Sequence, residues 1–168
     1  MMEWTHVQAV LEDYAEDYKQ RLIDRLIRDD RYVTGDLIAS IDVVPAVTDT
    51  ELSVWLLASD TLAYINYGTK AHWPPPEPII KWIEDKGIQP KPDANGKLPT
   101  VKGLAFLIGR AMAGKSPNQS SLHNPEGGMV ADPVIQEITE QMDGEYGQRI
   151  EEAVTADIEE NMRAILYG

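Results

Sequence analysis

No cysteine occurs in the 168 residues. That excludes disulfides, thiolate metal sites and cysteine nucleophiles, and it suits assembly in a cytoplasm. No stretch approaches the roughly 20 apolar residues of a membrane span, so no membrane partner is expected. The opening Met1-Met2-Glu3-Trp4 lacks the basic-then-apolar pattern of a secretion signal. Aromatic residues are scarce, 7% against 43% hydrophobic overall, and there are 11 prolines. This balance predicts a modest core with long connections. Positive charge is short too: 15 Lys and Arg face 28 Asp and Glu, for a net charge of -13. The deficit gathers at one end, where residues 132–168 carry 10 acids and 2 bases. Such a surface repels phosphate at close range, which argues against a conventional DNA-binding face. A solvated helix face that keeps the protein soluble is the plainest reading of those acids.

What is present reads as a mixed α+β chain. Val7, Leu11, Tyr14, Tyr18, Leu22 and Leu26 recur at threes and fours and predict a long first helix with one apolar stripe. Thr5 and Gln8 fit a capping box at its start. Asp36 to Ser40 is expected to form a single helical turn. Ile41–Val47 and Glu51–Ala58 are rich in β-branched and apolar residues around a turn-like Thr48-Asp49-Thr50, the pattern of an antiparallel hairpin. Ala63–Tyr67 is a short apolar-aromatic element that stops at Gly68. Trp73-Pro74-Pro75-Pro76 favours extended polyproline geometry. Pro78 then opens a short helix over Ile79–Lys86, closed by Gly87. Thr100 caps another helix that ends at Gly114. The segment at about 115–129 has no periodicity and is expected to be a long mobile loop. Asp132 and Pro133 start a final long helix whose apolar residues run from Ile135 to Ile165, with Gly144 and Gly147 as points for a kink. The expectation is one domain over residues 1–168: a small hairpin-based antiparallel sheet packed by a long N-terminal helix, short central helices and a long C-terminal helix.

Gly109-Arg110-Ala111-Met112-Ala113-Gly114-Lys115-Ser116 matches the P-loop pattern G-x-x-x-x-G-K-S/T, which raises a small nucleotide-binding enzyme using Lys115 and Ser116. A P-loop must open directly into a helix whose N-terminus faces the phosphates. Pro117 to Leu122 has no apolar helical face, and no further strands follow. Arg-Ala-Met-Ala is itself helix-forming sequence. Gly114 therefore reads as a helix cap, with Lys115 beside the helix's negative end. The histidines His6, His72 and His123 share no metal-ligand spacing, and no nucleophile elbow occurs. The expectation is no catalytic residue, no metal and no cofactor.

One stretch departs from an ordinary loop. Tyr64-Ile65-Asn66-Tyr67-Gly68-Thr69-Lys70-Ala71-His72-Trp73-Pro74-Pro75 concentrates aromatics, proline and glycine. Rigid aromatics on a loop anchor interfaces at low entropy cost; the alternative is that they plug the domain's own core. Tyr64, Tyr67, Gly68, Thr69, His72, Trp73, Pro74, Pro75 and, beyond them, Trp82 are the candidate assembly residues.

Three segments of the chain resemble, in order, the minor tail component or tail-completion (head–tail joining) family of long-tailed phages. Thr34 to Ile41 is similar to a Ser/Thr-Gly-x-Leu-x-x-Ser-Ile segment. Tyr64 to Pro75 is similar to an aromatic-x-x-aromatic-Gly-Thr stretch leading to His-aromatic-Pro-Pro, followed by a helix with Trp82 and then Lys86-Gly87. Leu104 to Gly114 resembles an apolar helix ending in glycine. The likeness spans roughly residues 34–138. Two features depart from it: Asn66 stands where an acid is common, and only Met129 to Pro133 remains of a Pro-Phe-Leu-x-Pro-Ala run. The resemblance implies an α+β fold, no catalysis and a structural role in the virion neck or tail, assembled in the host cytoplasm. It implies a ring of copies, a hexamer being one form, beside head-connector and tail-tube or tail-terminator proteins. DNA would pass as cargo, and an acidic lumen would let it slide. An acidic DNA-mimic inhibitor remains as a further alternative.

Overall fold

The computed structural model describes residues 3–30, 35–48, 50–92, 95–96, 98–114 and 131–167. Among these the fold is α+β, with six helices and one two-stranded antiparallel sheet. The contacts divide into two compact units: residues 1–31, 37–59 and 133–168, and residues 32–36 with 60–132.

The first unit is built on two long helices, α1 (Thr5–Arg28) and α6 (Val134–Tyr167). The six stripe residues predicted for α1 are all buried, joined by Ala15. The helices run antiparallel, since His6 at the start of α1 meets Asp157 while Tyr18 meets Ile135 and Thr139. Tyr14 stands edge-on to Tyr146 at 5.3 Å between ring centroids. Burial, and then Asp143 beside it, push the Tyr14 phenol up to about 12. Arg21 spans the helices, bonding Asp17 and Glu145, and its guanidinium holds the Glu145 carboxyl below the ordinary range. A one-turn helix α2 (Asp36–Ser40) leads into β1 (Asp42–Val47), which pairs with β2 (Leu52–Leu57) from Asp42 opposite Leu57 to Val47 opposite Leu52. Val43 faces the core against α1, while Val44, Trp55 and Leu57 alternate onto the open face.

The second unit holds α3 (Asp60–Tyr67), α4 (Pro76–Asp85) and α5 (Val101–Met112). Helices α4 and α5 pack through Ile79, Ile83 and Ala105, with Ile80, Val101, Leu104 and Ile108 around them. The hydroxyl of Thr100 accepts from the Gly103 N–H, the cap expected there. Gly114 takes φ +67 just past α5, a backbone position that closes helices and suits glycine.

Several details differ from the sequence expectation. The N-cap of α1 is Trp4, and no side chain of its own caps it; Gln8 turns outward to Glu12 instead. Residues 60–67 form a full helix, starting before Ala63. Helix α4 begins at Pro76, two residues ahead of Pro78, because proline is tolerated throughout a first turn whose N–H groups need no partner. Helix α6 starts at Val134 and runs unbroken through Gly144 and Gly147. The segment expected to be a mobile loop, 115–129, lies outside the described residues, as do Thr34, His123, Lys115 and Ser116. Among the described residues no helix is long and apolar enough to cross a membrane.

Candidate interaction surface

The aromatic-proline stretch is distributed over two structural roles. Tyr64 and Tyr67 sit on α3 with their rings outward, Tyr67 at 75% exposure, while Ile65 and Asn66 between them are buried. Gly68 ends the helix at φ +70. Thr69 is half-buried and bonded. The backbone N–H of His72 donates to the Met112 carbonyl at 3.3 Å, tying the stretch to the end of α5, while its ring Nδ1 lies 2.9 Å from the Lys70 carbonyl. Trp73 packs edge-on against Phe106 of α5 at 5.4 Å, and both rings remain about half exposed. Pro74 is buried, and its ring lies beside Gly109 of α5. Pro75 is extended, at φ -59 and ψ 142, as the N-cap of α4. Trp82 is partly exposed on α4, next to the buried Ile83.

The stretch therefore does two jobs. Pro74 seats it on α5, and Trp73 beside it is held half in solvent. The sequence reading did not single out Phe106, whose spacing from Trp73 hides the contact. Nor did it single out Trp55, half exposed on the open face of the sheet. The signal that could have found Trp55 is strand alternation: with Val43 inward, Val44 and its cross-strand partner Trp55 must point out.

A second cluster was also missed. His6, Asp157 and Glu160 each offer one ligand atom within 4.8 Å of the others, a spacing that could hold a metal ion. The chemistry of Asp157 argues otherwise. Its Oδ1 accepts from the His6 N–H at 2.9 Å and lies 2.7 Å from His6 Nδ1, and its Oδ2 accepts from the Val7 N–H at 2.9 Å. The carboxylate is thus the cap that α1 does not supply for itself, delivered from α6. A cation there would compete with those amides and sit at the positive end of the helix dipole. Burial pushes the Asp157 carboxyl up, but the amides of Val7 and His6 and the His6 ring outweigh it and hold the carboxyl below the ordinary range. Asp157 is 1% exposed and anchors the two long helices to each other.

The first half of the P-loop pattern is also resolved. Gly109 to Met112 is the last turn of α5, and Leu104 to Ile108 before it is helical. That is the geometry of a helix end, whereas a phosphate loop is entered from a strand. No protein-family model, curated protein or solved structure matches the chain.

Proposed function

We propose that the chain is a non-enzymatic structural subunit of a phage or prophage virion, placed at the joint between head and tail. It docks to copies of itself in a ring, a hexamer being one form, and to neighbouring connector and tail proteins, with DNA passing as cargo. The observation that carries the reading is the position of the large apolar side chains. Tyr64, Tyr67, Trp73, Trp82 and Phe106 of the second unit and Trp55 of the first are all exposed. Exposed large apolar groups of this kind, Trp73 and Phe106 in mutual contact among them, mark interaction surfaces. The ordered likeness of three segments to the tail-completion family supports the same role. So does the charge: eight of the nine acids on α6 are exposed, which suits a wall along which DNA slides. The inhibitor reading shares that acidic face but gives the exposed aromatics no use. The nucleotide reading has to work around the helix at Gly109–Met112. The test is negative-stain microscopy of the purified chain, alone and with a connector protein, beside calorimetry with ATP and magnesium. Rings without binding heat are expected. A clear binding heat, or a strictly monomeric chain that ignores the connector, would sink the proposal.

A further inference from the structure

The last turns of α6 outrun α1. Glu3, just ahead of α1, donates its N–H to Asn161 Oδ1 at 3.0 Å and accepts from Asn161 Nδ2 at 2.7 Å. Around and beyond that contact Ile158, Met162, Ile165 and Leu166 are exposed, Ile165 at 82%. Their spacing of four, three and one puts them on one stripe, of the kind a helix ordinarily buries. Glu159 borders the stripe, Glu151 and Glu152 stand exposed on the same side of the helix ahead of it, and the negative end of the helix dipole adds to them. Arg163, the single base on these turns, pairs with Glu159 at 3.5 Å.

A surface of the opposite kind lies on α5. Lys102, Phe106 and Arg110 are four apart and share one helix face. Phe106 carries the ring of Trp73 against it, and Lys70 and His72 are exposed just ahead of Trp73. Residues 60–114 hold seven bases to five acids, in a chain of net charge -13.

We propose that the apolar, acidic tip of α6 docks on the aromatic, basic face formed by α5 and Trp73 in a second copy of this chain. The inference rests on the self-assembly reading above and names the surfaces that carry it. Charge complementarity selects the occupant. Two tips together would set Glu151, Glu152 and Glu159 against their own kind, and two α5 faces would set bases against bases, whereas tip on face pairs opposite signs. The contact is heterologous: each copy gives one surface and receives on another, so successive additions close into a ring or continue as a filament. About five side chains on each surface fall well short of the ~20–30 of a standard interface. The contact is therefore weak and forms at high local concentration.

The absence of cysteine makes the test direct. The full-length Ile165→Cys and Phe106→Cys variants, each with a wild-type circular dichroism spectrum, are mixed at high concentration, oxidised and resolved without reductant. The mixed disulfide dimer is expected several-fold above either self-dimer, and several-fold above the yield of Ile165→Cys with Gln89→Cys in an exposed loop. About 0.5 M salt, with a screening length of roughly 4 Å, should cut the yield several-fold. Adding Lys102→Glu to the Phe106→Cys variant should do the same, and Lys102→Arg should not. If either cysteine disturbs folding, Leu166→Cys with Leu107→Cys replaces the pair. A dominant Ile165→Cys self-dimer, or a mixed yield equal to the control, overturns the inference. So does binding of a labelled single-stranded oligonucleotide that Lys102→Glu abolishes, because the face would then serve nucleic acid. Rings in the microscope without a preferred mixed dimer defeat this inference and leave the self-assembly reading standing; neither rings nor mixed dimer defeats both.

Discussion

Asp157→Ala should cost about 2–4 kcal/mol of folding stability. The carboxylate satisfies the first-turn N–H groups of His6 and Val7 from another helix, at 2.9 Å each, and is itself almost wholly buried. Hydrogen bonds to a charged acceptor contribute about 1.5–3 kcal/mol each, and loss of a helix cap costs about 0.5–2 kcal/mol. The two bonds share one acceptor group and are themselves the cap, so the contributions overlap, and about 2–4 kcal/mol is expected in place of their full sum. Asp157→Asn keeps one acceptor but turns an amide N–H₂ toward the other donor, and should cost about 1–2 kcal/mol. His6→Ala loses only a half-exposed ring contact and should cost under about 1 kcal/mol. Urea unfolding followed by far-ultraviolet circular dichroism measures all three, provided the slope stays that of the wild type. The pH dependence has a definite sign. The folded Asp157 carboxyl lies below its unfolded value, which is about 3.9. Its stabilisation is therefore fully present above that value and is lost as pH falls through the lower, folded one. Asp157→Asn cannot titrate and should lack this share of acid unfolding. An Asp157→Ala variant within about 0.5 kcal/mol of wild type, the range of ordinary surface changes, would refute the inter-helix cap.

Other perturbations separate fold from function. Gly144→Ala and Gly147→Ala should each stabilise by about 0.5–1 kcal/mol, because α6 is continuous and an added Cβ meets nothing at either site; thermal unfolding of each variant would show the rise. Tyr14→Phe should flatten the alkaline loss of stability. The folded phenol lies near 12, so its contribution is intact below the unfolded value of about 10 and fades as pH rises through the folded one; urea midpoints across that window test it. Gly109→Ala should be neutral or stabilising by up to about 1 kcal/mol, since its Cβ would rest in ordinary contact with Ile79 and Pro74 at 3.7 Å, whereas Gly109→Leu should separate α4 from α5; melting curves of the pair distinguish them. Trp73→Ala should leave a folded chain, as half of its ring is already in solvent, yet reduce ring formation in negative stain; unchanged rings would free Trp73 of a docking role.

Much of the fold was legible because its signals are local. The α1 stripe, the hairpin, Thr100 as a cap and Gly114 as a helix stop each depend on neighbours within a few residues. The capping of α1 was not legible, because its acceptor lies 150 residues from Val7. Sequence offered Thr5 and Gln8, a plausible local pair, and tertiary geometry supplied Asp157 instead. The candidate surface was half legible. Trp73 announced itself by its prolines, but its partner Phe106 looked like one more apolar residue of an amphipathic helix. Pro74 is buried beside Gly109 of α5, and no spacing rule encodes that contact.

The apolar run of α6 shows best why a pattern can be right and its consequence wrong. From Ile138 the apolar positions step by four: Met142, Tyr146, Ile150, Val154, Ile158, Met162. Four residues advance a helix by about 400°, so each step turns the line by about 40°. Six steps carry it some 240° around the axis, more than any single partner can follow. The side of α6 that meets α1 keeps Ile138, Met142 and Tyr146, then passes to Ala153 and Asp157, which are buried. Ile158 and Met162 are left exposed. A chain that needed only to bury α6 on α1 would place an apolar residue at 157 and polar ones at 158 and 162. Here the acid faces inward, where it caps α1, and the apolar residues face outward, where nothing in the same helix pair can use them. That inversion is the physical reason to look for a second molecule at the tip of α6.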